Sequence, residues 1–308
     1  MTPPELLVTV PGATLLTALG PVPKGVEVRV WDLASPAPAE HINIVVPPYM
    51  GIQNALAALA PITTDLVQSQ SIGYDGVAEA LPPGHTFANA ASVHEASTAE
   101  LTLGLILAVQ RNIVAAVRAS ESGSWAPLRS ASLADRRVLI VGYGGVGQAI
   151  EERLIPFEVE VTRVARSARG GLHGPILALD ELPGLLPAAE IVILAVPLTE
   201  ETRGLADAAF LAALPDGALL VNIARGPVLD TAAALAEARS GRLRFALDVT
   251  DPEPLPADHP LWALENVLIT PHVGGASTAM MPRMAALLHR QIAHLRAGDP
   301  VENIVIRA

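Results

Sequence analysis

Val138-Leu139-Ile140-Val141 runs directly into Gly142-Tyr143-Gly144-Gly145-Val146-Gly147 and then into Gln148-Ala149-Ile150. Glycine-rich turns are common, so the string gains weight from its context: an apolar run before it, a helix-forming run after it, and another apolar run about twenty residues on. In that setting Gly142 permits the tight turn, Gly144 lets the backbone approach a pyrophosphate, and Gly147 lets helix pack on strand. The N–H groups at the helix start then face the phosphates. An ordinary strand-to-helix turn is the alternative, and the flanking pattern disfavours it. The stretch predicts the first βα unit of a dinucleotide-binding, doubly wound α/β domain.

On both sides of this stretch, short apolar runs alternate with helix-like stretches, the pattern of βαβ units and mostly parallel sheets. Downstream the runs are Arg137–Val141, Val159–Val164, Ile191–Val196, Leu219–Asn222, Phe245–Asp248 and Val267–Ile269. Upstream they are Leu6–Val10, Val26–Trp31, Ile42–Val46 and Leu66–Ser69, separated by Pro11-Gly12, Pro21 to Gly25, Pro47-Pro48 and Gly73. A long helix is predicted from about Glu95–Ser97 to Ser120, with Ser97 and Glu100 as a capping box. A final helix, Ala279 to Arg296, ends at Gly298 with Pro300 beyond. At 308 residues the chain is long enough for two domains.

Composition narrows the function. Hydrophobic residues make up 51% and aromatics only 3%, so the cores are built from Ala, Val, Leu and Ile, as buried parallel strands require. The formal charge is −11, and Lys24 and Arg29 are the only basic residues in the first hundred, which disfavours a nucleic-acid surface. The longest apolar run, Leu101 to Val109, is far short of the roughly 20 residues of a membrane span. No positively charged flank precedes an N-terminal apolar stretch, so cytoplasmic residence is expected. Without cysteine there is no disulfide or thiolate nucleophile, and no metal site is expected.

The end of the strand after the glycine turn bears on which dinucleotide binds. An NAD site places an acidic residue there for the ribose 2′-OH, whereas an NADP site omits it and supplies arginine for the 2′-phosphate. The sequence reads Val164-Ala165-Arg166-Ser167-Ala168-Arg169, with Ala165 at the acidic position. Arg166, Ser167 and Arg169 are therefore candidate 2′-phosphate contacts, and NADP(H) is favoured over NAD(H). A solvated basic loop that contacts nothing is the alternative.

Three polar residues follow later strands, where open parallel sheets place their binding crevice. Arg225 lies past Asn222, Glu253 past Asp248 and His272 past Ile269. Singly, each has an ordinary structural explanation as an ion-pair partner, a solvated loop carboxylate or a structural histidine. Together they suit hydride transfer to a 2-oxo acid. Negative charge grows on the carbonyl oxygen, and imidazolium can supply the proton near neutral pH. A carboxylate on the other ring nitrogen orients the imidazole, and an arginine fork binds the substrate carboxylate. His272 is the candidate acid, Glu253 its partner and Arg225 the anchor.

Over nearly its whole length, and most strongly over Arg137–Gly147, Ile191–Thr202, Leu219–Asp230 and Ala246–Gly275, the sequence resembles the D-isomer-specific 2-hydroxyacid dehydrogenases. The resemblance implies two Rossmann-like domains with parallel sheets. The substrate domain is discontinuous, residues 1–94 and 276–308, around a cofactor domain at 95–275. It implies the same catalytic residues, Arg225, Glu253 and His272. It also implies that Gly145 and Val146 present N–H groups to the pyrophosphate, that Pro197 and Thr202 line the cofactor, and that Asp248 holds the nicotinamide carboxamide. The Ser71–Asp75 loop resembles the family's substrate loop, whose backbone amides, here at Ile72 and Gly73, help bind the carboxylate. A homodimer built partly on Glu95–Trp125 is implied too.

Departures from the family pattern sharpen the expectation. Thr250 replaces a frequent phenylalanine on the loop carrying Glu253, and the retained Glu253 argues against a formate dehydrogenase. Pro47–Gly51 and Gln68–Asp75 contain no lysine or arginine, which disfavours a phosphorylated or inorganic substrate. A small 2-oxo acid such as glyoxylate, hydroxypyruvate or pyruvate is expected. The alternatives are an NAD-dependent dehydrogenase of a bulkier 2-hydroxy acid and a cofactor-sensing, non-catalytic binding protein. The lack of an appended interaction domain is read against the sensor.

Overall fold

The computed structural model describes residues 5–308. They form two compact units, one comprising the chain up to His94 with Ser277–Ala308, the other Glu95–Ala276. The first unit holds strands β1 (Leu6–Val10), β2 (Val26–Val30), β3 (His41–Val45), β4 (Thr63–Gln68) and β5 (Thr86–Ala88). The second holds β6 (Arg137–Val141), β7 (Glu160–Ala165), β8 (Arg169–Gly171), β9 (Gly174–Ala178), β10 (Ile191–Leu194), β11 (Leu219–Asn222), β12 (Arg244–Leu247) and β13 (Val267–Ile269). The last strand, β14 (Ile304–Arg307), belongs to the first unit.

The first sheet runs β14-β5-β4-β3-β1-β2, parallel except for the edge strand β14, which pairs antiparallel with β5. The second runs β13-β12-β11-β10-β6-β7-β9-β8, parallel except for the β8–β9 hairpin. Both sheets are thus mixed rather than purely parallel. Successive strand residues alternate faces. In β6, Leu139 and Val141 enter one buried cluster while Val138 and Ile140 enter the other. In β1, Val8 and Val10 face one cluster and Leu7 the opposite one.

Several local expectations are corrected. The single helix from Glu95 to Ser120 is two helices, Glu95–Gln110 and Ile113–Glu121, bent by 66°. Asn112 joins them at φ 52°, ψ 36°, a left-handed conformation asparagine tolerates. Ser97 is buried within the first of these helices, so it cannot be the N-cap of a Ser97–Glu100 capping box. The Ser-x-x-Glu spacing is satisfied by chance inside a helix whose start is set upstream, where Val93 N–H bonds the Ala90 carbonyl. Strands β5 and β14 and the β8–β9 hairpin carry no strong apolar alternation and are found only in the fold. The final helix, Met280–Ala297, stops where the sequence places its end, with Gly298 at φ 72°. Among the described residues no single helix is long and apolar enough to cross a membrane.

Candidate active site

In the second sheet the chain leaves β6 toward β7 on one side and returns to β10 on the other. Such a reversal opens a crevice at the strands' carboxyl ends. The glycine turn stands there. Gly142 has φ 107°, and a Cβ on it would lie 2.4 Å from the Ala195 carbonyl carbon. A Cβ on Gly147 would lie 2.3 Å from the Gly142 carbonyl oxygen. Close packing therefore forces glycine at both. Gly144 differs: a Cβ there would meet nothing within 4 Å, and the residue is exposed. Among the described residues nothing excludes a side chain at Gly144, so its bareness leaves room for a ligand.

Gly144 is also the N-cap of helix Gly145–Leu154, which has no side-chain cap and no acid in its first turn. Gly144 has no side chain with which to cap the leading N–H groups, those of Gly145 and Val146 among them, and such a helix start suits an anionic phosphate. On this ground the glycine turn fits a dinucleotide. Pro197 is exposed beyond β10, and Thr202 is buried. The Thr202 hydroxyl donates to the Pro197 carbonyl at 2.6 Å and accepts from Thr199 N–H at 2.8 Å, stapling that turn. Ala165 is buried at the end of β7, Arg166 and Ser167 are exposed, and Arg169 sits on β8. The Arg169 guanidinium is engaged with the Tyr143 carbonyl at 2.8 Å.

Arg225, Glu253 and His272 follow β11, β12 and β13, three neighbouring parallel strands. His272 Nδ1 and Glu253 Oε1 are 2.6 Å apart, both side chains partly exposed. An ionised carboxylate can only accept, so Nδ1 donates and Nε2 is left to exchange a proton with a substrate. Arg225 is tied to this pair through its neighbour. A Cβ on Gly226 would lie 1.8 Å from the Thr250 carbonyl oxygen, so the Arg225 turn packs backbone-to-backbone on the loop that carries Glu253. Thr250 donates its hydroxyl to the Pro252 carbonyl at 2.9 Å, an internal bond phenylalanine could not make. The Arg225 Nη1 donates to the Ala224 carbonyl at 2.7 Å.

Residues that the sequence did not single out build these turns. The Asn222 side chain, fully buried, donates to the Arg225 carbonyl at 3.0 Å and accepts from Ala224 N–H at 3.1 Å. Its only signal was a polar residue closing an apolar strand. Asp248, expected as a cofactor contact, is buried and organises the histidine turn. Its carboxylate accepts from Thr270 Oγ1 at 2.6 Å, Val273 N–H at 2.9 Å and Gly274 N–H at 2.9 Å. Its carbonyl accepts from His272 N–H at 2.8 Å. These bonds hold His272 at φ 53°, a region costly for a side-chain-bearing residue. Three donors on a carboxylate leave acceptor capacity for one more.

In the first unit, the loop after β4 is held by side-chain amides. Asn89 Nδ2 donates to the Ile72 carbonyl at 2.9 Å, Ser71 N–H bonds Ser69 Oγ at 2.9 Å, and Gly73 follows in the same loop. Buried Gln68 and Gln291 brace its base through a 2.7 Å bond.

The family model for the D-isomer specific 2-hydroxyacid dehydrogenase NAD binding domain matches residues 103–274. The chain belongs to the D-isomer specific 2-hydroxyacid dehydrogenase family. This dehydrogenase is 34% identical over 245 residues to a glyoxylate reductase of Thermofilum pendens, covering 76% of this chain and 72% of that protein. It is 30% identical over 293 residues to the glyoxylate reductase/hydroxypyruvate reductase of Homo sapiens, covering 89% of each. The crystal structure of a D-isomer specific 2-hydroxyacid dehydrogenase from Xanthobacter autotrophicus Py2, in complex with NADPH and MES, matches with a TM-score of 0.83 at 30% identity over 98% of both chains. The dehydrogenase is accordingly an enzyme that works with a nicotinamide dinucleotide.

Proposed function

We propose that the dehydrogenase reduces a small, uncharged-side-chain 2-oxo acid, of the glyoxylate, hydroxypyruvate or pyruvate type, with NADP(H) in preference to NAD(H). The observation that carries the reading is the 2.6 Å His272–Glu253 pair, on a loop packed directly against the Arg225 turn. When bound at the glycine turn, the dinucleotide supplies the hydride for C2. Arg225 holds the substrate carboxylate through its guanidinium. His272 gives its Nε2 proton to the carbonyl oxygen, so the product gains a C–H and an O–H together. Glu253 keeps Nδ1 protonated and stabilises the imidazolium. Asp248 fixes the turn of His272 and has acceptor capacity for a carboxamide N–H. Pro197 and Thr202, stapled into one turn after β10, would line the bound dinucleotide.

The cofactor preference rests on Ala165 in place of an acid, with exposed Arg166 and Ser167 after it. The NADPH bound to the Xanthobacter relative supports it. The names of the Thermofilum and human relatives support the substrate class. We read the apolar residues Ile113, Val117, Trp125 and Leu128, exposed by 48%, 55%, 95% and 63%, as a homodimer surface.

The test is the initial rate of NADPH and NADH oxidation with glyoxylate, hydroxypyruvate, pyruvate and a bulkier 2-oxo acid, for the wild type and His272→Ala. A rate highest with NADPH and a short acid, reduced at least about 100-fold in His272→Ala with cofactor binding intact, is expected. Tight cofactor binding with no turnover on any acid would refute catalysis and leave the cofactor-sensing protein as the reading.

A further inference from the structure

Tyr143, the second residue of the glycine turn, is 3% exposed and is held at both ends. Its hydroxyl donates to Glu151 Oε2. Glu151 is 1% exposed, on the helix that starts at the turn, and its carboxylate also receives Arg163 of β7, through Nη2 and through Nε at 2.8 Å. The Tyr143 carbonyl accepts from Arg169 Nη2 at 2.8 Å. Arg169 belongs to the β8–β9 hairpin, and β9 lies beside β7 with Ile176 opposite Arg163. A Cβ on Gly174, at φ 131° on that hairpin, would stand 3.1 Å from Arg163 Nη1, so the hairpin closes tightly over the guanidinium.

The charge state of this cluster is set by its own members. Burial raises the Glu151 carboxyl, but the bonds from Arg163 and Tyr143 outweigh it and leave the group below its ordinary value. Burial, and then the Glu151 carboxylate, push the Tyr143 hydroxyl up to about 12, so it stays a donor at any working pH. A buried Glu–Arg pair is seldom the most stabilising way to fill such a space, because desolvating both charges is costly and apolar residues often do as well. What it provides is fixed geometry.

The turn does not need that geometry for itself, because the close approaches at Gly142 and Gly147 already fix it. What Tyr143 adds is a double link from the turn to the hairpin: its carbonyl receives Arg169, and its hydroxyl fixes Glu151 and with it Arg163, over which Gly174 closes. We propose that Tyr143 is a specificity-positioning residue, which clamps the β8–β9 hairpin to the glycine turn, so that the loop between β7 and β8 bearing Arg166 and Ser167 is held from both sides and the pyrophosphate site and the 2′-phosphate site keep a fixed separation. The inference rests on the NADP(H) reading above. A dinucleotide without the 2′-phosphate uses only the turn and gains nothing from the clamp. One carrying it loses affinity when the hairpin is free to move.

The experiment measures dissociation constants of NADPH and NADH by nucleotide fluorescence for the full-length wild type, Tyr143→Phe, Arg169→Ala, the double variant and Arg166→Ala. Removing one hydroxyl bond is expected to weaken NADPH about fivefold and NADH less than about twofold. The double variant should fall short of the product of the single effects, since both break one clamp. An equal loss for both cofactors, or no loss for either, overturns the inference. If the wild type prefers NADPH and Arg166→Ala removes that preference while Tyr143→Phe retains it, the inference alone fails. If the wild type shows no preference, the cofactor reading fails and takes the inference with it. Should Tyr143→Phe not fold, Glu151→Gln, which alters the hydroxyl's partner and leaves every candidate 2′-phosphate contact in place, carries the same comparison.

Discussion

Replacing Gly226 by alanine tests whether the Arg225 turn and the Glu253 loop act as one piece. Its Cβ would lie 1.8 Å from the Thr250 carbonyl oxygen, 2.2 Å from the Thr250 carbonyl carbon and 2.8 Å from Asp251 N. All three are backbone atoms, so no side chain can swing aside, and the two segments must part by roughly 1.5 Å to restore ordinary contact. Arg225 precedes the substituted residue directly, and Glu253 lies only three residues beyond Thr250. Misplacing groups by about 1 Å around a reacting centre costs on the order of 100-fold. Overpacking of this kind costs roughly 1–3 kcal/mol, which lowers the melting temperature by several degrees. The assay is kcat/KM for 2-oxo acid reduction, with thermal melting and NADPH binding as controls for the fold. A drop of about 100-fold in kcat/KM, with cofactor binding within about threefold, is expected. A folded Gly226→Ala enzyme that retains kcat/KM within about threefold would refute the coupling of the Arg225 turn to the Glu253 loop.

Two further outcomes are expected. Because the Glu151 carboxyl is depressed in the folded state, its contribution is fully present above its ordinary value of 4.5 and is lost as pH falls through the lower folded value. Glu151→Gln should therefore melt on the order of 10 °C below the wild type at pH 7, with the gap closing in acid, and a gap that stays constant or widens below pH ~4 would contradict this. The exposed Trp125 and Val117 predict a dimer in sedimentation equilibrium that Trp125→Glu with Val117→Glu shifts toward monomer by at least about tenfold in dissociation constant. A wild-type monomer, or an unchanged dimer, would remove that surface from consideration.

What could be read along the chain and what could not divide on physical grounds. The helix stop at Gly298 was legible because a left-handed C-cap is a one-residue demand that glycine meets. The doubly wound second sheet was legible for a similar reason, since apolar runs and the glycine spacing after Val141 express sterics between near neighbours. The capping box at Ser97 misled because its spacing is satisfied equally well inside a helix. The break at Asn112 was missed because the apolar pattern continues through Ile113 and Val117, although those residues are exposed. The β8–β9 hairpin and the edge strand β14 were missed because pairing, not composition, makes them strands.

The order of residues along the chain is enough to read an α/β fold with a glycine turn at a strand end, an alanine where an acid would select NAD, and Arg225, Glu253 and His272 each past a strand. Those facts concern residues in sequence order, and local geometry suffices to read them. Packing in three dimensions brings Glu253 to His272 across nineteen residues of chain and seats Gly226 on Thr250. It also decided that Asp248 anchors the histidine turn and that Tyr143, Glu151 and Arg163 form one buried cluster. Each of these depends on which strands lie side by side and how deeply their loops are buried. That is set by the packing of the whole sheet, and no short window of sequence encodes it.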